Sequence, residues 1–470
     1  MSKASPSAPA LPGQTVRAPV RHYGPMPDAQ DRPWRSPLPG ELAGEAFAIA
    51  VELATRCTDP AKVREANELC ERQTHFPAAL HWDPLSVAQG DLGQALLCGQ
   101  LHQVDPQAGW DRTGAPLAGS AAALLRRGVR PGMGSVGGSS GVAFVARRLK
   151  DANLHPQLPH LDAVIAQDAL GTAARIRGRH GIPVSSFDQI SGLSGVLLCA
   201  LPNESQPAAP VTPFLLKALA ALATEDGQPP AWYTPPEQLY DDEQRHYYPF
   251  GNLNLGLAHG IPGPLAALAV AVRLGLGGDE TRAAVGRLGD WLAFHATAGD
   301  AGPGWESVVT LVPGADGLSE EPPRGVGRDA WCYGTPGAAR ALFLAGEALD
   351  RPDWRELAIE AMASVYRRPV AQRGIDSPTF CHGVAGLLQI TLRFHHDTGL
   401  PLFADAATAL TRQILDTVEL DRPMGIANLE PEDNKVDQPG MLDGASGVSL
   451  ALLSASSEVE PTWDRMFALS

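Results

Sequence analysis

The sequence predicts an all-α protein, a double-walled α/α toroid of about seven outer–inner helical hairpins. Three observations predict it. Strand signals are weak throughout, because β-branched and aromatic residues rarely alternate with polar ones. Ala/Leu-rich stretches with a 3.6-residue period recur along the chain. Between them, Gly-x-x-Gly followed by an apolar run appears seven times, at separations of 48 to 74 residues. One such glycine pair carries no information, but seven at this spacing are an internal repeat whose unit is one helical hairpin.

Taken in chain order, residues 1–40 hold nine prolines and almost no apolar periodicity. A helical ladder cannot form there, so they read as a disordered tail. The toroid is expected as a single domain over 41–470. It opens with an amphipathic helix carrying Leu42, Ala46, Phe47, Ala50, Leu53 and Ala54 and ending near Cys57. Further outer helices are expected at 116–127, 161–178, 213–224, 280–298, 351–367 and 403–419. The inner helices start at Gly90, Gly138, Gly192, Gly260, Gly334, Gly383 and Gly444. Two glycines three apart leave one face of a helical turn without side chains, so backbone can approach closely there. The runs after the glycines are the more apolar, for example Leu265-Ala-Ala-Leu-Ala-Val270, and so form the inner wall. All seven inner N-termini then point to one end, which gathers helix dipoles and the long polar loops 225–256, 299–331 and 421–443.

Composition narrows the function. The 37 Lys+Arg against 52 Asp+Glu give a formal charge of −15, which disfavours a nucleic-acid binder. Six cysteines lack a disulfide-like spacing, no apolar run reaches membrane-spanning length, and no secretory signal is present. A cytoplasmic protein is expected.

Rotation about the axis makes the two residues before each first glycine face a common point. In the first three repeats these slots hold Ala88-Gln89, Val136-Gly137 and Ile190-Ser191. The other four hold Ala258-His259, Cys332-Tyr333, Cys381-His382 and Leu442-Asp443. Nothing about starting a helix asks for sulfur or imidazole. Cys332, Cys381 and His382 form a two-thiolate, one-imidazole set of the kind that selects zinc, and three protein ligands leave a tetrahedral ion one open position. A structural ion, with His259 or Asp443 closing the shell, and plain buried cysteine are the competing readings.

These motifs resemble the lanthionine synthetase C-like family. The resemblance rests on the glycine repeats with Ala258-His259-Gly260, Trp331-Cys332-Tyr333-Gly334 and Cys381-His382-Gly383, in the family's order. It implies a catalytic zinc on Cys332, Cys381 and His382, an active-site histidine at His259, and supporting roles for Arg328, Asp188 and Tyr333. The implied reaction is addition of a peptide cysteine thiol to dehydroalanine or dehydrobutyrine, as in a stand-alone lanthipeptide cyclase. The implied partners are a leader-bearing dehydrated precursor and a separate dehydratase, with a membrane-associated biosynthetic complex compatible with the absence of a spanning segment. Either His259 or Arg328 would protonate the enolate. The sequence also admits other zinc-thiolate alkylations (glutathione addition to dehydroamino acids, or prenyl transfer) and a zinc-stabilised peptide-binding scaffold. Asp188 as a mere helix cap and Arg328 as a partner of Glu320 or Glu321 are the plainer readings of those two residues.

Overall fold

The computed structural model describes residues 32–470 apart from 78–81, 180, 204–205, 224–228 and 316. Helix α1 (Gly40–Cys57) leads into α2 (Pro60–Gln73), and an alternation of inner and outer helices follows. Its first part is α3 (Asp91–Val104), α4 (Trp110–Arg126), α5 (Ser139–Leu149), α6 (Leu158–Ile176), α7 (Leu193–Ala200) and α8 (Thr212–Ala220). A short α9 (Asp242–Tyr247) intervenes. The alternation resumes with α10 (Pro262–Arg273), α11 (Asp279–Phe294), α12 (Thr335–Leu349), α13 (Pro352–Arg367), α14 (Val384–Thr398), α15 (Pro401–Leu415) and α16 (Ala445–Ser456).

Seven of these, α3, α5, α7, α10, α12, α14 and α16, pack each on the next, and α16 packs back on α3, so the inner wall closes. Their apolar composition matches that position: Pro262 to Ala271 of α10 and Ala445 to Ala455 of α16 are buried without a break. Outer helices such as α4 bury one stripe, here Gly114, Ala118, Ala121 and Ala122, whereas α13 is buried continuously from Ala358 to Val365. Each inner helix pairs with the outer helix that follows it, and α1 covers α16. The chain therefore builds its pairs from the inside out. The reason is connection length: Asp350-Arg351 and Gly399-Leu400 are links that only antiparallel neighbours can share. Prolines in the first turns of α13 and α15 start the returning helices where no amide partner is lost.

The glycine pairs do not serve contact between neighbouring helices. A side chain at the second glycine would meet the carbonyl six residues upstream, at 1.9 to 2.4 Å in six repeats and 3.1 Å at Gly263. The loop entering each inner helix folds back onto the helix start, and glycine leaves the room. Those loops then bond to one another around the axis. Val87 and Ala88 donate to Val136, Ser135 to Ile190, Gln189 to Ala258, Ala258 to Cys332, Cys332 to Cys381, Cys381 to Leu442, and Met441 to Ala88. This closed backbone ring brings the seven two-residue slots together at one end of the barrel.

Three features of the loops and the C-terminus were not foreseen from sequence. The loops 225–256 and 299–331 carry β1 (Asn252–Asn254), β2 (Thr297–Gly299), β3 (Gly302–Gly304), β4 (Val308–Gly314) and β5 (Gly317–Glu320). In them β1, β4 and β5 form an antiparallel sheet and β2 pairs with β3. A hairpin of β6 (Asn428–Glu430) and β7 (Asn434–Val436) lies in the loop before α16. The C-terminal 3₁₀ turn Thr462–Phe467 fills the bore, with Trp463, Met466 and Phe467 fully buried. Trp331 Nε1 donates to Phe467 O at 3.0 Å, and Arg393 pairs with Asp464 at 2.7 Å.

The expected tail needs a correction. Residues 1–31 lie outside the described residues, but 32–39 pack on the body. Trp34 is 4% exposed, donates Nε1 to Ser454 O at 3.0 Å, and stacks on His396 at 5.2 Å. Prolines forbid a helix there, yet an extended segment can still bury an indole whose N–H finds a carbonyl. Among the described residues no helix is long and apolar enough to cross a membrane.

Candidate active site

On the His259 side, Asp188 does two things at once. Its Oδ1 accepts from the backbone N–H of Ser191 and Gly192 at 2.7 and 2.8 Å, capping the turn that starts α7. Its Oδ2 lies 2.6 Å from His259 Nδ1. The carboxylate is 1% exposed and the imidazole 37%. Nδ1 is thus committed to the carboxylate, and Nε2 is the end of the ring left for chemistry. The cap reading of Asp188 is therefore true and incomplete.

Tyr333 stands beside His259, ring centroids 6.3 Å apart. Its hydroxyl accepts from Asn254 Nδ2 at 3.2 Å, and burial pushes the phenol up to about 12. Gly256 makes this placement possible, because a Cβ there would lie 2.6 Å from the Tyr333 ring. A phenol held neutral and tied back by an amide is a wall of the site. Asn254 was missed from sequence, since no pattern marks a lone asparagine on a short strand.

In the next two slots Cys332 and Cys381 are hydrogen-bonded through sulfur. That bond, aided by nearby Arg328, holds the Cys332 thiol below its ordinary value against the opposing effect of burial. The same bond, with burial, raises Cys381 well above it. Cys381 Sγ, a His382 ring nitrogen and an Asp443 carboxylate oxygen all lie within 4.8 Å of one another. Cys332 adjoins this trio through Cys381. Of the predicted ligands, then, Cys381 and His382 cluster together, Cys332 is next to them, and Asp443 joins from the following slot. Asp443 Oδ1 is buried with no hydrogen bond among the described residues, 3.4 Å from His382 Nδ1. Burial raises this carboxyl, and His382 draws it back down. Two thiols, an imidazole and an orphaned carboxylate oxygen are a donor set that fits a metal ion.

Arg328 is exposed and lines a cavity of about 490 Å³ together with His382 and Asp443. Glu320 pairs with His295 and Glu321 with Arg324, so neither takes Arg328 as the plainer reading required. The loop bearing Arg328 is anchored by the next residue. Asp329 is fully buried against Arg368, and burial pushes its carboxyl up to about 7 despite Arg368 and Arg373.

The profile of the lanthionine synthetase C-like protein family matches residues 81–468. The chain belongs to that family. This lanthionine synthetase C-like protein is 26% identical over 291 residues to nisin biosynthesis protein NisC of Lactococcus lactis subsp. lactis. That match takes in 60% of the present chain and 64% of NisC, less than two thirds of the relative's own length. The solved structure of nisin cyclase superposes with a TM-score of 0.69 at 22% identity, covering 86% of this chain and 97% of that one, which establishes a common fold. Within the lanthionine synthetase C-like toroid, all seven residues singled out from sequence fall on or beside the backbone ring. They form two groups: His259, Asp188 and Tyr333, and then Cys332, Cys381, His382 and Arg328.

Proposed function

We propose that this protein is a lanthipeptide cyclase, closing thioether rings in a dehydrated precursor peptide. One observation carries the reading: a thiol–imidazole donor set and a carboxylate-held histidine occupy neighbouring slots of a single backbone ring. Membership in the lanthionine synthetase C-like family and the resemblance to NisC support it. A zinc ion on Cys332, Cys381 and His382 would ionise an incoming peptide thiol, whose ordinary pKa near 8.5 leaves it mostly protonated at neutral pH.

The chain's own residues account for the rest. Sulfur forms a bond to the β-carbon of dehydroalanine or dehydrobutyrine, and the π pair moves onto the carbonyl as an enolate. The α-carbon then takes a proton, so that S–H has added across C=C with no change in mass. His259, with Nδ1 held by Asp188 and Nε2 left for chemistry, would deliver that proton. Asp188 fixes the orientation of the ring through Nδ1. Arg328 supplies a fixed positive charge for the enolate oxygen. Tyr333, tied to Asn254, walls the site beside the imidazole.

The precursor would arrive with its leader peptide and its dehydrated residues already made by a separate dehydratase, in the cytoplasm. To test the reading, a dehydrated cysteine-containing peptide is offered to the wild-type protein and to Cys332→Ala and His259→Ala variants, and free thiol is followed by alkylation. Thiol should disappear with the wild type and persist with both variants. Equal closure with and without protein would overturn the proposal.

A further inference from the structure

The cavity shared by Arg328, His382 and Asp443 has an apolar wall that the reaction does not use. It consists of Phe76, Leu429 and Pro431. Phe76 follows α2 and is 52% exposed, an unusual position for a phenylalanine in an otherwise polar segment. It is held there deliberately. Glu430, only 7% exposed on β6, accepts from Thr74 Oγ1 at 2.6 Å and from the His75 backbone N–H at 2.8 Å. Thr74 Oγ1 in turn accepts from the Phe76 N–H at 2.9 Å. Asn434 Nδ2 donates both to Gln73 O and to Glu430, at 2.9 and 3.0 Å. A buried carboxylate thus clasps the end of α2 to the β6–β7 hairpin and fixes an aromatic ring at the cavity rim.

From this juxtaposition we infer that Phe76 is a specificity determinant, seating an apolar side chain on the peptide residue that flanks the reacting cysteine, with Glu430 as its positioning residue. The inference rests on the cyclase reading. Two features favour the cysteine's neighbour over the dehydrated residue's. The cavity is bounded by His382 and Asp443, on the donor-set side of the ring, and of the two residues assigned to the enolate Arg328 lines it while His259 does not. Its volume, about 490 Å³, lies in the range of small-ligand pockets and accommodates a short stretch of peptide, so it reads what lies immediately beside the sulfur. Apolar contact in such a pocket discriminates modestly, by about 10- to 200-fold.

The test uses three dehydrated peptides: one with leucine beside the cysteine, one with serine there, and one with that leucine moved beside the dehydroalanine and serine beside the cysteine. Ring closure is followed by thiol alkylation, and binding by fluorescence polarisation. Phe76→Ala should raise KM and Kd about tenfold for the first peptide, leave kcat unchanged, and leave the other two peptides untouched. Phe76→Leu should restore most of the loss, and Glu430→Gln should reproduce part of it. Equal effects on all three peptides, or no wild-type preference for the first in binding or turnover, would overturn the inference. If no ring closes with any peptide, the cyclase reading fails. A binding preference for the first peptide that vanishes in Phe76→Ala would still sustain the docking role, and its absence would end that too.

Discussion

Repeats one to three and repeats four to seven build the same mouth from their loops and helix starts, but fill its two-residue slots with different chemistry. All seven loops fold onto glycine, and all seven join the same ring of backbone hydrogen bonds. Yet Ala88-Gln89, Val136-Gly137 and Ile190-Ser191 offer no thiol or imidazole, whereas His259, Cys332, Cys381, His382 and Asp443 crowd the other arc. Scaffold and chemistry are therefore separable in this molecule. The glycines and carbonyls make the mouth, and a few slot residues on one side of it decide what it does. Changes at slots should strike activity unequally around the ring, while changes at glycines should strike stability almost evenly.

The largest effect is expected at the donor set. Cys381→Ala should lower ring closure by about a thousandfold or more, because the proposed zinc would lose a ligand and with it several kcal/mol of stabilisation. Val136→Ala, at the equivalent slot of repeat two, should leave kcat unchanged. Chelation should likewise abolish activity while far-ultraviolet circular dichroism stays constant, since the closed inner wall and its C-terminal plug are held by burial. A barrel that unfolds on chelation would turn the ion into a structural one.

Next in size is the proton pathway. His259→Ala should cost about 10²- to 10⁴-fold in kcat, the usual worth of a positioned acid–base group. Asp188→Asn keeps an oxygen for the Ser191 and Gly192 amides but removes the charge beside Nδ1. Its loss should be smaller, about 10- to 100-fold, the size seen when a group orienting a working imidazole is changed. If Asp188→Asn instead lowers the melting temperature and spares kcat, the cap is its whole role.

Much of this division was legible in the sequence, because the glycine pairs and slot residues break an otherwise apolar pattern at fixed positions. All seven outer stripes and all seven inner starts fall where periodicity and glycine put them. What stayed hidden depends on contacts between distant residues. Trp34 is buried only because α16 and His396 lie 362 to 420 residues away to receive it. Trp463 and Phe467 sit in a segment too short to show a period, enclosed from every side. Helix α2 was overlooked because it buries just Val63, Ala66 and Cys70, although Asp59-Pro60 was a start signal, with Asp59 capping Ala61 and Lys62. Asp443 was visible as a slot residue, but its place beside Cys381 and His382 required the ring itself.

A smaller effect, and one blind to the arc, is expected at the glycines. Gly447→Ala would drive a methyl to within 1.9 Å of Met441 O in the active arc, and Gly141→Ala to within 2.0 Å of Ser135 O in repeat two, which carries no site residue. Forcing either loop off its helix should cost about 1–3 kcal/mol, read by chemical denaturation, with similar values for both. A large asymmetry would mean that the ring is strained on one side.

The smallest effect concerns how the active arc is anchored. Asp329 keeps its proton up to about pH 7 in the folded chain, against an ordinary carboxyl near 3.8, because burial outweighs the attraction of Arg368 and Arg373. Between those two values the folded state binds a proton that the unfolded chain has lost. Stability from this group is therefore fully present at low pH and declines as pH rises from about 4 towards 7. Asp329→Asn carries no such proton, so its stability should fall less steeply than the wild type's over the same window, in urea titrations at stepped pH. The slot loop of repeat two carries no acid at all, and the buried acid of repeat three, Asp188, is paired with His259 rather than with an arginine. Removing the titration should flatten the wild-type profile without touching the inert arc. Parallel slopes for variant and wild type would mean that Asp329 is ionised throughout and serves only as the partner of Arg368.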